Sequence, residues 1–364
     1  MKKIAALLVL CFLCGTAFLF ADDASVLPAR VGRVYLTPTF AFANGAYDTD
    51  GAYQSYDSGK GALKGFLLGA ALEYGILDWI SAALQWTPGW MAASEVDTKA
   101  GVSDNVNVNG VTDLFIGGKF QIVGEKAPVQ TSMFRWSLAT GVKVPFPGPD
   151  YEEQYKNASK SGNEPVTAAN QDRHVLGLGL RSYFDYVVNE NFYIDLYGEF
   201  IGYPMKGKLS ESGLTGYGIT KNIDNTKAQL ANTPLADALS YKDEVDYGFD
   251  LTLELEPVYS LPLAEGVRFT AGLPLTYKFS PGKKYDVTVS DMLIAANPAA
   301  AALRLEDDDP SHDLSLKPSV AFFFTDFLLP TELKLNYSAP IAGAGNDKKA
   351  IHSLTLQVKV YFKI

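Results

Sequence analysis

Three histidines and one serine are the side chains of this sequence best suited to acid–base or nucleophilic chemistry. Ser353 directly follows His352, but adjacent residues of a strand point to opposite faces, so the two cannot act as a nucleophile and its base. A hydrolytic site on a polar face would need a histidine beside several aspartates. His174, His312 and His352 instead fall in phase with the apolar residues of their stretches. We therefore predict that the protein is not an enzyme.

Charged side chains are the second chemically capable group, and they recur at alternate positions inside apolar stretches. Acidic residues concentrate around Glu199 and Glu254, whereas basic residues dominate around Lys119 and Lys143. If these side chains face a water-filled lumen, they predict a transverse electric field that selects polar or zwitterionic solutes. The alternative is an interior filled by interlocking ion pairs, which conducts nothing. The predicted lumen-lining residues are Arg33, Glu73, Lys119, Arg135, Lys143, Arg181, Asp195, Glu199, Asp250, Glu254, Arg268 and Lys317.

The last eleven residues indicate which element positions these charges. Apolar residues occupy every even position from Leu354 to Ile364, and polar residues or tyrosine occupy every odd one. This period-two pattern predicts a strand with one apolar and one polar face. An apolar strand with a free edge would pair with other chains, whereas a closed barrel in lipid leaves no edge. The stretch resembles the C-terminal signal strand of outer-membrane barrels, which implies recognition by the barrel-assembly machinery.

The same alternation recurs along the chain in about twelve stretches, within a range of ten to fourteen, each long enough to cross a bilayer as a tilted strand. Short connections alternate with mostly longer polar ones throughout. That regular exchange is typical of short periplasmic turns and long extracellular loops. The predicted fold class is therefore all-β: a single transmembrane, antiparallel, up-and-down β-barrel.

The N-terminal residues predict export. Lys2 and Lys3 precede an apolar run that ends at Ala21, the pattern of a secretory signal. We predict a signal peptide over residues 1–21 and the barrel over residues 22–364. Cys11 and Cys14 both lie in the signal segment, so the mature chain would have neither a disulfide nor a thiolate metal site. The chain carries 31 basic and 41 acidic residues, a balance that argues against nucleic acid as a partner.

Two short phrases carry a family resemblance. Residues 73–78 read EYGILD, and residues 110–120 read GVTDLFIGGKF. They resemble phrases of the outer-membrane transporters associated with phenol meta-pathway degradation, which are themselves similar to the fatty-acid channel FadL. The resemblance covers about a third of the chain and implies a barrel that passes small, including hydrophobic, solutes. The segment 22–30 is too short for the N-terminal hatch domain of a FadL-type channel.

Two further segments depart from the alternation, over residues 223–239 and 291–305, where helix-forming residues are interrupted by Pro234 and Pro298. Folded inward, either would narrow the lumen. Folded outward, each would be a surface-binding loop or a short helix over the rim.

Together these observations predict a channel for passive uptake of small solutes through a charged lumen, in the outer membrane of a diderm bacterium. Its partners would be outer-membrane lipid and small-molecule solutes, with no metal or cofactor. One alternative is a FadL-like conduit for hydrophobic or aromatic compounds. The other is a surface adhesin or loop-display barrel with a plugged lumen.

Overall fold

A computed structural model describes residues 24–56, 63–97, 104–111, 114–146, 150–153, 155–156, 167–168, 173–345 and 348–364 of the protein. The predicted signal peptide lies outside these residues, so its boundary stays a prediction. Within the described ranges, no helix is both long enough and apolar enough to cross a membrane.

The first half of the chain forms strands wherever apolar and polar residues alternate. These strands are β1 (Val31–Tyr47), β2 (Tyr53–Ser55), β3 (Leu63–Leu77), β4 (Ile80–Asp97), β5 (Asp104–Val111), β6 (Leu114–Val123), β7 (Phe134–Val144), β8 (Thr167–Ala168), β9 (Gly177–Asn189) and β10 (Phe192–Gly202).

The second half adds helical elements between its strands. In chain order these are η1 (Leu209–Glu211), α1 (Leu214–Leu230), β11 (Leu239–Asp246), β12 (Phe249–Ala264), β13 (Val267–Gly272), β14 (Leu275–Ser280), β15 (Lys284–Val289), α2 (Asp291–Ala296), η2 (Pro298–Leu303), β16 (Ser311–Leu316), β17 (Ser319–Phe324), β18 (Thr331–Ala344) and β19 (Lys348–Lys363).

Antiparallel pairing between sequential strands closes a barrel of twelve strands, which confirms the predicted fold class. Two of the twelve are broken in two, because β13 with β14, and β16 with β17, each pair with the same neighbouring strand; β5 and β6 both pair with β4 and are counted as one strand. The first and last strands complete the ring, with Val31 opposite Lys363 and Phe42 opposite His352. Val31 and Lys363 mark the opening that carries the short turns, which we call the periplasmic end.

An apolar belt surrounds the barrel, because every second residue of a strand points outward and these outward residues are apolar. Leu180 is 53% exposed and Leu196 is 46% exposed. A contiguous exposed apolar surface of this extent is a lipid contact, and the predicted outer-membrane location is confirmed. Other exposed members of the belt are Leu36, Phe66, Leu84, Ile116, Phe200, Leu253, Leu275, Phe322, Leu335 and Leu356.

Prolines account for the two broken strands. Pro274 separates β13 from β14, and Pro318 separates β16 from β17 in the adjacent strand. Proline cannot donate to a ladder hydrogen bond, so each strand is interrupted there. The wall stays bonded across both breaks, because the amide of Lys317 donates to Pro274 O at 2.8 Å and the amide of Tyr337 donates to Pro318 O at 3.1 Å.

The two irregular segments predicted over residues 223–239 and 291–305 pack together as one unit. Their flanking strands β11 and β15 pair with each other, with Leu239 opposite Val289. Ile223 of α1 and Leu293 of α2 are buried in one apolar cluster with these strands. We call this unit, residues 203–248 together with residues 281–310, the extracellular cap.

Candidate functional site

The inner face of the barrel encloses a cavity of about 1030 Å³. Its lining extends from Asp308 and Lys283 at the extracellular end to Ser25 and Leu27 at the periplasmic end. Because alternate residues of each strand point inward, the polar rows of the sequence line this space.

Two ion pairs joined by a glutamine lie across the cavity wall, and we call these five residues the mid-lumen network. Arg33 on β1 pairs with Glu73 on β3, and its Nε lies 3.0 Å from Glu73 Oε2. Arg181 on β9 pairs with Glu199 on β10 at 2.5 Å. Gln85 bridges them, since its Nε2 donates to Glu73 at 3.2 Å and its Oε1 accepts from Arg181 at 2.7 Å. The network therefore links charges of both signs on four separate strands.

Aromatic rings surround the same network. Lys119 Nζ lies 4.0 Å from the centroid of the Tyr183 ring, and the rings of Tyr183 and Tyr197 are 5.0 Å apart. The Tyr35 hydroxyl accepts from Gln85 Nε2 at 3.2 Å. A ring face attracts a cation, so these tyrosines help to hold the basic side chains against the wall.

Phe115 is an inward residue whose role the sequence did not reveal. Its ring rests on glycines of three adjacent strands, Gly117, Gly141 and Gly179, which are directly opposite one another in the ladder. A Cβ at Gly117, Gly141 or Gly179 would lie only 2.6–2.7 Å from the ring. The guanidinium of Arg181 covers its other side at 4.0 Å. In the sequence, the repetition of glycine at inward positions is the signal that a ring can approach the backbone this closely.

Eight of the twelve predicted lumen-lining residues line the large cavity, and the other four lie elsewhere. Arg135 contacts the N-terminal segment, Asp195 is buried, Arg268 borders a separate small pocket, and Lys317 pairs with Glu254 at 3.5 Å. Whether any of them lines a conducting path stays a prediction. The eight on the cavity wall are Arg33, Glu73, Lys119, Lys143, Arg181, Glu199, Asp250 and Glu254.

Four of the six acidic residues of the wall have a basic partner, Glu254 with Lys317 among them. Glu73 and Glu199 pair within the mid-lumen network, and Arg173 Nη2 lies 2.9 Å from Asp250 Oδ1. Arg173 also lies over the rings of Tyr203 and Tyr247. The acidic strands therefore do not oppose the basic strands as an uncompensated negative wall.

The segment 24–30 crosses the periplasmic end of the lumen. Ala24 is fully buried; its amide donates to Asp185 Oδ1 at 3.0 Å, and its carbonyl accepts from the Ser137 hydroxyl. Arg135 Nη1 donates to Ser25 Oγ at 3.1 Å. Leu27 packs against the inward Phe323 and Tyr361. The segment therefore runs from the start of β1 to β7 and β9, several strands away, and covers part of the opening.

The opposite side of this end holds a buried ion pair. Lys359 Nζ lies 3.2 Å from Glu332 Oε1, and the lysine side chain is fully buried. The Tyr361 hydroxyl lies 3.4 Å from Glu332 Oε2. These groups, on adjacent strands, fill the periplasmic end beside Leu27.

Two of the three histidines lie on the lipid-facing side near the extracellular end. His312 Nδ1 shares a hydrogen bond with the Tyr277 hydroxyl at 2.6 Å, and His352 Nδ1 shares one with the Tyr337 hydroxyl at 2.8 Å. The ring of Phe42 stacks on His352. His174 precedes β9, in the left-handed backbone region. The expected lack of catalysis stays a prediction.

Comparison with known proteins identifies the class of fold. No family model and no curated protein sequence matches the chain. Among solved structures, the COG4313 outer membrane channel from Pseudomonas putida F1 is similar over 95% of this chain and 100% of that chain, with 13% identity and a TM-score of 0.57. The translocator domain of autotransporter NalP from Neisseria meningitidis matches over 100% and 94% of the two chains, with 9% identity and a TM-score of 0.38. The similarity to the COG4313 channel shows that the protein has the fold of an outer-membrane β-barrel, and at 13% identity it concerns the fold alone.

Proposed function

We propose that this protein is a channel through which small solutes cross the outer membrane passively. The observation that carries the proposal is the cavity of about 1030 Å³, whose charged lining extends from the extracellular cap to the N-terminal segment. Closed barrels of this size can also be filled by side chains. Here a cavity of about 1030 Å³ lies between the inward side chains, which supports an open lumen.

Polar cargo fits this lining better than hydrophobic cargo. The wall carries the mid-lumen network and further charged groups at both ends. The apolar side chains of the extracellular cap are buried in two clusters, one around Val245 that also includes Val175 and Ile201 of the barrel, and one around Leu293. A FadL-like conduit would be favoured by an apolar entry pocket under the cap, whereas these side chains are buried in packing.

Single-channel recording of the refolded protein in a planar bilayer tests the proposal. We expect stable conductance steps. Because Arg181 and Glu199 face the same cavity with opposite charges, Arg181→Gln should shift selectivity toward cations and Glu199→Gln toward anions. Lys126 lies on an exposed periplasmic turn, and Lys126→Gln is the matched control that should leave selectivity unchanged. A silent protein that still shows the heat-modifiable migration of a folded barrel would overturn the proposal.

A surface-binding barrel is the second candidate, because the extracellular cap is a folded unit with its own apolar core. In that case the segment 24–30 would be a permanent plug and the cap would carry the activity. Removing residues 214–230 would then abolish binding to cells or matrix. The barrel would show no conductance in a planar bilayer either before or after the deletion. Conductance steps in the wild-type protein would exclude this candidate.

A further inference from the structure

A group of three lysines, two of them on the cavity wall, is not explained by the local pairing seen elsewhere. We call Lys278, Lys317 and Lys348 the lysine cluster. Lys278 lies on β14, Lys317 between β16 and β17, and Lys348 begins β19. Lys278 and Lys348 line the large cavity. Lys278 stands opposite Asp313 in the strand ladder, and the Asp313 carboxylate also faces Lys348, so both lysines lie beside the same acidic side chain.

The carboxylates nearby do not balance this charge. Glu254 lies 3.5 Å from Lys317 Nζ and also accepts from the Thr276 hydroxyl at 2.5 Å. Asp313 lies 3.9 Å from Lys348 Nζ, at the limit of an ion pair. Lys278 stands opposite Asp313 in the strand ladder, yet it forms no ion pair within 4.0 Å in the described part of the chain. Asp250 also lies near Lys348, but its carboxylate pairs with Arg173 at 2.9 Å, so four cationic groups share three carboxylates here.

The rest of the lining strengthens this local excess. Eight cationic and six acidic side chains line the cavity, although the whole chain has a formal net charge of −10. Basic residues are thus concentrated in the lumen of an acidic protein. Like charges held together in a partly desolvated space raise the free energy of the empty state, and a bound anion relieves that repulsion. An ammonium group binds a carboxylate or phosphate as a compact point charge.

We propose that the lysine cluster binds small anions, and that the solutes carried by this channel bear a phosphate or carboxylate group. The binding site stands on the geometry of the three lysines, whereas the identity of the cargo rests on the proposed channel function. The cluster lies in the upper lumen, beside the extracellular cap, where it would concentrate anions at the entrance.

Equilibrium dialysis tests the binding site without requiring conduction. Refolded full-length protein in a nonionic detergent at low salt is dialysed against inorganic phosphate and, separately, against succinate. We expect saturable binding of at least one probe, weakened about tenfold by Lys278→Gln and by Lys348→Gln. Lys126→Gln removes the same charge from an exposed periplasmic turn and should leave binding unchanged. No saturable binding, or equal binding by the wild-type protein and both cluster variants, overturns the proposal.

Reversal potentials in a salt gradient test the cargo. We expect the wild-type channel to prefer chloride to potassium, and Lys278→Glu to reduce or invert that preference. Phosphate should also reduce chloride current in the wild-type protein more than in Lys278→Gln. A conducting channel that prefers cations and is unaffected by phosphate overturns the anionic cargo and leaves the channel function standing. A silent barrel that binds phosphate through Lys278 supports the site and overturns the channel function.

Discussion

At the residue scale, the inward charges of this barrel are stabilised by named partners and not by solvent alone. Arg33 and Glu73 pair across β1 and β3, and Arg181 is held between Glu199 and the ring of Phe115. An unpaired charge in a narrow, partly dry lumen would be costly, so inward charges come in pairs. The lysine cluster is where this pairing is incomplete, and that difference singles it out as a binding site.

The buried pair of Glu332 and Lys359 gives a stability prediction. Glu332→Gln should lower the free energy of unfolding by about 3 kcal/mol, because the buried ammonium of Lys359 loses its charged partner. Urea titration of the barrel refolded in lipid vesicles measures the change.

The double variant Glu332→Gln/Lys359→Met provides the control. Removing the second charge leaves no buried ion, so most of the lost stability should return. Equal destabilisation of the single and double variants would show that shape, and not charge, makes this contact important.

At the scale of elements, the segment 24–30 and the extracellular cap occupy the two ends of the barrel and are held there in different ways. The segment is held by hydrogen bonds to Asp185, Ser137 and Arg135, with one apolar anchor at Leu27. The cap has its own apolar core and its own sheet of β11 and β15. A few polar contacts are released more easily than the packed apolar core of the cap. We therefore assign the constriction of the lumen, at its periplasmic end, to the segment 24–30.

Gly75 tests that assignment. The Arg30 amide donates to Gly75 O at 2.8 Å, and a Cβ at Gly75 would lie only 2.5 Å from Leu27 O and still closer to Pro28 O. Gly75→Val should therefore displace the segment and increase single-channel conductance, about twofold if the segment is the main constriction.

Gly198→Val is the matched control for this prediction. A Cβ at Gly198 would meet only a side-chain carbon of Leu253 at 3.6 Å, an ordinary contact distance. Its conductance should equal that of the wild-type protein. If Gly75→Val exposes the segment to proteases but conducts like the wild-type protein, the segment is not the constriction.

The extracellular cap carries a pH dependence. Burial, followed by the nearby Asp243 carboxylate, raises the pKa of Tyr241 to about 12, although its hydroxyl bonds to Thr220 Oγ1 at 3.0 Å. In an unfolded chain the pKa of a tyrosine hydroxyl is about 10. The neutral form is favoured in the folded cap, so its contribution to stability is complete below pH 10 and is lost as the pH rises through 12.

Difference absorbance at 295 nm measures this titration. Subtracting the curve of Tyr241→Phe from that of the wild-type protein should leave one tyrosinate that appears near pH 12. Limited proteolysis should then show cleavage within the cap at pH 12 while the barrel stays resistant. A difference curve centred near pH 10 would contradict the buried hydroxyl.

At the scale of the whole molecule, closure and the apolar belt act together. Pairing of β1 with β19 satisfies the last backbone edges, and Thr39 and Thr355 share a hydrogen bond at 2.8 Å across that junction. A closed ladder is what allows a sheet to remain in hydrocarbon. The outward side chains of the belt are therefore surrounded mainly by lipid and not by a protein core.

Leu196→Arg tests the position of this belt. Leu196 lies at the middle of β10 and faces outward, so a charge there should cost about 2–4 kcal/mol of unfolding free energy in lipid vesicles. Leu263 is similarly exposed but lies next to the periplasmic turn after β12, and Leu263→Arg should cost only about 0–1 kcal/mol. Equal costs at both positions would contradict a belt centred on Leu196.

Much of the fold followed from local pattern. The alternation in stretches such as 354–364 predicted the strands, their inward faces and a count of twelve, because strand period and bilayer thickness are both set by short-range geometry. The same parity placed Glu73, Lys119 and Glu199 on the cavity wall. Arg135 also belongs to an inward row, but the segment 24–30 covers it. The period-two pattern of the sequence does not predict that contact.

The sequence by itself therefore determined that a strand is formed, which face is apolar and which side chains face inward. Only the tertiary structure decided which distant residues meet: Ala24 with Asp185, Leu239 with Val289, and Phe115 with glycines of three strands. The physical reason is that alternation is encoded within a few neighbouring residues. Contacts across a lumen or between loops exist only after twelve strands have closed into a ring, and that closure fixes distances between residues far apart in the chain.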